Sequence, residues 1–354
     1  MDFSSVNGGM TTVAGLGVIM ALVLVLPFSV KKVEEELEAF LFLMGVTAVS
    51  FAGAWDWHLV KEALREPLGI SLTVLFVGLL FRHYHRRIAH FTKKMTGRLG
   101  LELSAFIIIV TLGLLSSLIT AIIAALILAE IVSALNLDRE YEIKFVVYAC
   151  FAIGLGAALT PLGEPLSTVV VAKLKGPPHN ADFFFLLKML WEWVVPGILL
   201  MAFLATRHKG HKVSLRDSLH ISETESVKTI LLRAGKVYLF VMALLFLGAG
   251  LKALAEAVIA AIPDWQLFWL NSISAALDNA TLAASEITPS MTAHKIEYIL
   301  LGLLVSGGML IPGNIPNIIS AAKLGIKSRE WAKIGLPLGG ALMLVYFLLL
   351  TAFA

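Results

Sequence analysis

The sequence is poor in charge and in cysteine, and each shortage excludes a class of protein. Only 15% of the 354 residues are charged, whereas 58% are hydrophobic and the mean hydropathy is +0.86. Such values lie outside the range of soluble globular domains and are typical of proteins that cross a membrane many times. Because Cys150 is the single cysteine, the chain has neither an internal disulfide framework nor a cysteine metal cluster.

Long apolar runs recur along the whole chain and predict an all-α polytopic membrane protein. Each run is long enough for a helix to cross most or all of the hydrocarbon core of a bilayer. The runs cover approximately residues 10–29, 37–54, 68–81, 145–172, 183–206, 230–251, 296–322 and 334–353. The basic stretch 82–94 predicts a cytoplasmic loop on anionic lipid and not a nucleic-acid site.

Two further apolar runs do not fit a single crossing, and we expect both to form re-entrant hairpins. A helix over residues 102–135 would be about 50 Å long, against about 30 Å of hydrocarbon. Its centre, "GLLSSLIT", is rich in Gly, Ser and Thr, and residues 265–291 have "SISAALDNAT" at their centre. Irregular backbone at membrane depth requires protein or water around it, so these turns predict a buried polar region.

The distribution of Lys and Arg supports the two hairpins. If both stretches turn back, 21 of the 28 Lys and Arg residues fall on the cytoplasmic side. If both cross the membrane once, the split falls to 16 against 12. Because cytoplasmic loops carry the excess of positive charge, the hairpins are favoured. This arrangement predicts a multi-pass protein of the cytoplasmic (inner) membrane with both termini outside.

An internal repeat relates the two halves of the chain. "AALILAEI" (124–131) resembles "ATLAASEI" (280–287), and "LTPLGEPLSTVVVAKL" (159–174) resembles "MLIPGNIPNIISAAKL" (309–324). Gly163 aligns with Gly313, and Glu164 aligns with Asn314. An odd number of crossings separates the two hairpins, so the halves are expected to have inverted topology.

The expected organisation is therefore two inverted-topology repeats, each with a re-entrant hairpin and an interrupted helix. Extra spans precede the repeats, and a cytoplasmic linker joins them. The boundaries are residues 1–66 for the extra spans, 67–206 for the first repeat with its hairpin at about 102–135 and its interrupted helix at about 143–174, 207–228 for the linker, and 229–354 for the second repeat with its hairpin at about 265–291 and its interrupted helix at about 295–325.

Prolines and glycines interrupt one helix in each half. "TPLGEP" (160–165) and "IPGNIP" (311–316) each carry two prolines around a glycine, which ends or kinks a helix and frees backbone polar groups. Secondary transporters place substrate and coupling ions at such discontinuities near the bilayer midplane. The same architecture favours alternating access over the continuous pore of a channel.

The breaks and the hairpin centres hold side chains that are almost all oxygen or amide donors, without Arg, Lys or His. Oxygen ligands with one or two carboxylates suit a hard monovalent cation such as Na⁺, and a carboxylate in low dielectric also takes a proton. The candidate ion-binding residues are Asp278, Asn279, Glu164, Thr281, Asn314, Asn317, Thr160, Ser167, Thr120 and Ser320. Within this set Na⁺ is assigned to Asp278, Asn279 and Glu164, with Asp278 and Glu164 as proton carriers.

At "SAALDNATLAA", "LTPLGEPLST" and "SGGMLIPGNIPNIISAAKLG" the chain resembles NhaD-type sodium/proton antiporters of the ion-transporter superfamily. That superfamily also contains arsenite pumps and dicarboxylate and citrate carriers. The resemblance implies an elevator-like carrier that forms a homodimer, with Asp278, Asn279 and Glu164 in the ion site. The chain departs from the pattern at Thr120–Ala121, where an Asp–Asn pair is expected, and in having Glu164 in place of Asp.

Other interpretations of the same residues stay open. Asp278 fits the N-cap of the second hairpin arm, and Glu164 fits the start of a helix. Glu130 and Glu286 occupy matching places, where interhelical hydrogen bonds are expected, and Lys173 and Lys323 close the interrupted helices as anchors. A Na⁺-coupled dicarboxylate or oxyanion carrier is the alternative function. An enzyme is not expected, since no second intramembrane Asp pairs with Asp278, and no cofactor beyond Na⁺ is implied.

Overall fold

The computed structural model describes residues 9–207, 226–259, 264–275 and 279–352. Every regular element in this part of the chain is a helix, which confirms the predicted all-α class. The α-helices are α1 (Gly9–Ser29), α2 (Lys31–Glu35), α3 (Leu37–Ala52), α4 (Trp57–Ile119), α5 (Ala121–Leu135), α6 (Arg139–Ala157), α7 (Pro165–Lys173), α8 (Phe185–Arg207), α9 (Val227–Ile259), α10 (Asp264–Leu270), α11 (Asn279–Glu286), α12 (Ala293–Gly307), α13 (Ile315–Leu324) and α14 (Ser328–Ala352).

Among the described residues, five helical segments are long and apolar enough to cross a membrane. They are Trp57–Leu80, Lys94–Ile119, Phe185–Arg207, Val227–Lys252 and Ser328–Ala352. Length and composition therefore confirm a helical membrane protein. The helices α1, α3 and α5 are also apolar but shorter.

Helix α4 covers 63 residues as two helices that meet at a kink, and the first of them continues through 82–94, which corrects the prediction of a loop there. The basic stretch is compatible with a helix because Arg, Lys and Ala are good helix formers and no proline lies within it. Positive charge led the sequence interpretation to a cytoplasmic loop, whereas the structure continues the helix through this stretch. The one non-helical residue inside α4 is Gly100, with φ 77° and ψ 166°, where the helix kinks.

The first predicted hairpin corresponds to the end of α4 and to α5, which pack against each other. The chain turns at Thr120, which has a positive φ of 74° and separates the two helices. The Thr120 hydroxyl accepts a hydrogen bond from the backbone amide of Ile123 and so caps α5. The turn thus lies at the last residue of "GLLSSLIT".

The second predicted hairpin is less regular. It begins with α10, continues as a 3₁₀ helix over Asn271–Ala275 and resumes at α11. Residues 276–278, and with them Asp278, lie outside the described residues. The side chain of Thr281 in α11 also lies outside what the structure describes.

Helix α9 packs against α3 and against the first part of α4. Lys236 of α9 pairs with Glu38 of α3 at 3.4 Å, and the Tyr238 hydroxyl donates to the carbonyl of Leu64 in α4. Helices α3 and α9 and the first part of α4 form one layer, which we call the α3–α4–α9 layer. A second group, which we call the central cluster, consists of the end of α4 with α5, α6, α7, α11, α12 and α13. Helices α5 and α6 pack against α4, α5 packs against α13, and α7 packs against α11.

Hydrogen bonds group the loops at two opposite ends of the molecule. At one end, Arg139 donates to the carbonyls of Leu324 and Gly325 and pairs with Glu330 at 2.8 Å. At the other end, Lys173 donates to the carbonyl of Ile287 at 3.0 Å. The first group contains only segments that the charge distribution assigned to the cytoplasm, and the second only segments assigned to the outside.

Candidate functional site

The first interrupted helix breaks between α6 and α7. Helix α6 ends at Ala157, and the Ser167 hydroxyl of α7 donates back to the carbonyl of Ala158 at 3.1 Å. Glu164 precedes α7 in extended conformation, with φ −155° and ψ 160°, as a residue before proline should. A Cβ at Gly163 would overlap the Ala157 carbonyl, so only glycine fits this position.

The second interrupted helix has the same construction between α12 and α13. Helix α12 ends at Gly307, and Asn314 precedes α13 with φ −155° and ψ 147°. The Asn317 side-chain nitrogen donates to the carbonyl oxygens of Gly307 at 2.8 Å and Leu310 at 2.9 Å. A Cβ at Gly313 would lie 2.6 Å from the Gly307 oxygen. The aligned positions therefore have matching backbone geometry.

Each break packs against the turn of its own half. In the first half, the Ala121 amide donates to the Gly163 carbonyl at 2.9 Å, and the Thr160 hydroxyl donates to the Ser117 carbonyl at 2.5 Å. In the second half, a Cβ at Gly313 would lie 2.9 Å from the carbonyl oxygen of Ala275. Turn and break therefore approach closely in both halves.

The two halves also meet at the breaks. A Cβ at Gly154 in α6 would lie 2.7 Å from the side-chain nitrogen of Asn314. A Cβ at Gly307 would lie 3.7 Å from the side-chain nitrogen of Asn279 and 3.8 Å from Cβ of Asn314. Asn279 and Asn314, both predicted ligands, thus both approach Gly307, and Asn314 also contacts the first interrupted helix.

A cavity of about 380 Å³ reaches this region. Its lining includes Pro165, Ala280 and Ile315, and each of these residues directly follows a predicted ligand: Glu164, Asn279 and Asn314. The opposite wall comes from α9 and the first turns of α4. That wall carries three charged residues, which are Glu62, Glu66 and Lys252. The starts of α7, α11 and α13 therefore open onto one shared space.

The predicted site residues are largely buried, and several of their hydroxyls serve the breaks themselves. Thr160 and Ser167 donate to backbone carbonyls, Thr120 caps α5, and the Ser320 hydroxyl lies 3.4 Å from the Cys150 sulfur. The predicted residues with the least exposure are Glu164, Asn279, Asn314, Asn317, Thr160, Ser167 and Ser320. The structure brings Asn279 and Asn314 together, and Pro165, which directly follows Glu164, lines the same cavity.

The family model described as "Protein of unknown function (DUF1646)" matches residues 13–353. The chain belongs to this family. A search of curated proteins found no match. The match runs from α1 to α14 of this DUF1646 protein and so includes both breaks and the shared cavity.

Two buried amide atoms of the DUF1646 protein have no hydrogen-bond partner among the described residues. They are the side-chain nitrogen of Asn279 and the side-chain oxygen of Asn317. The Asn317 nitrogen is used on two carbonyls, and its oxygen is the atom left without a partner. A buried amide oxygen that accepts no hydrogen bond from the protein is normally satisfied by a cation or a water.

The contacts between elements expected of Glu130 and Glu286 are present, but the ion-pair partner of Glu130 was not predicted. Glu130 of α5 forms a buried ion pair with Lys323 of α13 at 2.9 Å, with side chains 8% and 6% exposed. Glu286, also buried, instead accepts a hydrogen bond from Asn271 at 3.0 Å. Lys173 reaches the carbonyl beside Glu286. The internal repeat could have suggested such contacts, because it aligns Glu130 with Glu286 and Lys173 with Lys323.

Proposed function

We propose that this protein is a secondary active transporter that exchanges Na⁺ or Li⁺ for protons by elevator-like alternating access. The observation that carries the proposal is the shared cavity onto which α7, α11 and α13 open. Three helix starts directed at one space, each preceded by an oxygen-bearing side chain, resemble the ion sites that broken helices form in secondary transporters. The proposal includes a homodimer in the cytoplasmic membrane with both termini outside.

The chemistry that we propose rests on Asp278 and Glu164 as the ionisable ligands. When both carboxyl groups are deprotonated, their negative charge compensates a bound Na⁺ in a region of low dielectric. Asn279, Asn314 and Asn317 contribute amide oxygens, and Thr160, Ser167, Thr120, Thr281 and Ser320 contribute hydroxyl oxygens or support the breaks. Protons that bind the carboxylates on the other side displace the cation, which couples the two fluxes.

The layering of the helices supports a division into moving and fixed parts. The central cluster holds both breaks, and the α3–α4–α9 layer faces it across the shared cavity. In the proposed mechanism the central cluster moves along this layer and exposes the ion site to each side in turn. The small residues at the interface within the cluster keep its helices together during that movement.

The decisive experiment measures proton flux in proteoliposomes with an internal pH dye. The vesicles are challenged with Na⁺, Li⁺ and K⁺, and then with dicarboxylates and oxyanions. We expect Na⁺ or Li⁺ alone to drive a pH change. The absence of any cation response, with uptake only when an anion accompanies Na⁺, would refute the antiporter and favour the Na⁺-coupled anion carrier.

Variants locate the site within the same assay. Asp278→Asn is expected to abolish exchange and Glu164→Gln to lower it at least about tenfold or to remove its pH dependence, because each loses a titratable ligand. The matched control is Glu192→Gln, which neutralises an exposed carboxylate on α8. Wild-type exchange in the Asp278 variant would remove that residue from the site.

A further inference from the structure

A second cavity, of about 420 Å³, lies at the end of the molecule that holds the predicted cytoplasmic segments. Gly325 lines it, and the carbonyl of Gly325 accepts a hydrogen bond from Arg139 of that same end. The walls come from α3 and α9 on one side and from α13 and the start of α14 on the other. We call it the basic cavity because most of its charged residues are cationic.

The charged lining of the basic cavity is strongly one-sided. Its cationic residues are Arg233, Lys236, Lys323 and Lys327, whereas its one acidic residue is Glu38. Glu130 lies behind the wall, paired with Lys323, and Arg233 is near enough to interact electrostatically with both. Even with Glu38 and Glu130 counted, the cations outnumber the carboxylates, so an anion in this space is favoured.

Apart from Thr229 and Ser328, the rest of the basic cavity is lined by apolar residues and continues to the outer surface of the helices. Leu232, on the lining, is 61% exposed, and such a side chain on a membrane helix contacts lipid. The remaining large apolar residues of the wall are Leu37, Phe240, Ile311, Ile318 and Ile326. One space therefore offers a cluster of cations beside a hydrocarbon-compatible wall.

We propose that the basic cavity binds the phosphate group of an anionic phospholipid from the cytoplasmic leaflet. The guanidinium of Arg233 and the ammonium groups of Lys236 and Lys327 hold the phosphate, and an acyl chain follows the apolar wall past Leu232. The volume falls within the range of about 300–1,000 Å³ that is usual for small-molecule sites. Basic pockets between helices on the cytoplasmic side are suited to such head groups.

Such a lipid would join two parts of the molecule that the proposed mechanism separates. It contacts α9 of the α3–α4–α9 layer and α13 of the central cluster at the same time. Bound lipid therefore restrains the movement of one past the other and slows exchange. This consequence rests on the proposed transport function, whereas binding itself does not.

Binding is tested on the delipidated full-length protein in detergent, by native mass spectrometry and by thermal unfolding. The ligands are phosphatidylglycerol, phosphatidylcholine as the zwitterionic control, and inorganic phosphate as the group without acyl chains. We expect phosphatidylglycerol to bind at one site and to raise Tm, and phosphatidylcholine to do neither. Raised salt is expected to weaken the binding.

Variants assign the site. Lys236→Gln and Lys327→Gln are each expected to weaken phosphatidylglycerol binding about fivefold, and about 25-fold together, while Lys333→Gln leaves it unchanged. Lys327 and Lys333 are both exposed residues of the same end, which makes them a matched pair. Lys327→Gln is the safer variant for folding, because the buried Arg233 contributes to the cluster around Glu130.

Each outcome decides the proposal. Equal phosphatidylglycerol binding by wild type and by the double variant would overturn the site. Binding of inorganic phosphate alone, lost in the same variants, would overturn the lipid as its occupant and assign the cations to a soluble phosphate compound. The binding tests do not measure ion flux. Failure of the lipid proposal can therefore be told apart from failure of the transport proposal.

Discussion

The two interrupted helices share a backbone but not their side chains. Glu164 and Asn314 have nearly the same extended conformation at the same point of each break. The first break presents a carboxylate there and the second an amide. A Ser hydroxyl also fixes the first break where two hydrogen bonds from Asn317 fix the second. The two breaks therefore share their backbone shape, while the carboxylate at this point belongs to the first break and the amide to the second.

A second difference concerns the lysines that end these helices. Lys323 neutralises the buried carboxylate of Glu130, whereas Lys173 donates to a backbone carbonyl and Glu286 takes a hydrogen bond from Asn271. The end of α13 thus depends on a buried ion pair, and the end of α7 on hydrogen bonds. The stability of the two halves should respond differently to the same substitution.

Replacement of each lysine by methionine should give the largest difference in stability between the two helix ends. Lys323→Met removes the ammonium that pairs with the buried Glu130 and is expected to cost about 3 kcal/mol, since Arg233 still compensates part of the Glu130 charge. Lys173→Met removes a hydrogen bond from a more exposed position and is expected to cost about 1 kcal/mol. Thermal unfolding in detergent measures both.

The double variant Lys323→Met with Glu130→Gln provides the control for the ion pair. Because it removes both charges together, it should recover most of the stability that Lys323→Met loses. Equal losses for Lys323→Met and Lys173→Met would show that the two helix ends are held in the same way.

Alanine at the two break glycines tests the shared backbone. Gly163→Ala and Gly313→Ala both force a Cβ against a carbonyl of the preceding helix, so both are expected to destabilise by about 1–3 kcal/mol. The loss should be larger at Gly163, where the overlap is closer. Gly340 of α14 has open space around it, so Gly340→Ala is the control and should not destabilise. Tolerance at only one break would mean that the two backbones are not equivalent.

The smallest expected effect distinguishes the hydrogen bonds inside the breaks. Asn317→Ala loses two bonds to carbonyls and is expected to cost about 2 kcal/mol, and Ser167→Ala loses one and should cost about 1 kcal/mol. The ratio of the two shifts in unfolding temperature is the relevant measurement. A larger loss for Ser167→Ala would contradict the hydrogen-bond assignment.

Local chemistry made much of this structure predictable. Proline and glycine at 160–165 and 311–316 predicted both breaks, and the alignment of Gly163 with Gly313 anticipated their matching geometry. Composition predicted a helical membrane protein, which the described helices confirm. Such features depend on a few neighbouring residues, so a single sequence contains them.

Features that depend on distant contacts were not predictable in the same way. The helical continuity of α4 through 82–94 was missed because charge was taken as a sign of a loop. The pairing of Glu130 with Lys323 and the approach of Asn314 to Gly154 join residues far apart in the chain. Periodicity and spacing describe one helix at a time, and they contain no information on which helix lies opposite.

The single cysteine has a practical consequence. The Cys150 sulfur is buried between α6 and α13, 3.6 Å from the Pro316 carbonyl oxygen, and both helices belong to the central cluster. A maleimide should therefore leave the native thiol unlabelled as long as these two helices stay packed. Thiols introduced elsewhere can be labelled with fluorophores or spin labels against a silent background, and reaction at Cys150 itself reports that α6 and α13 have come apart.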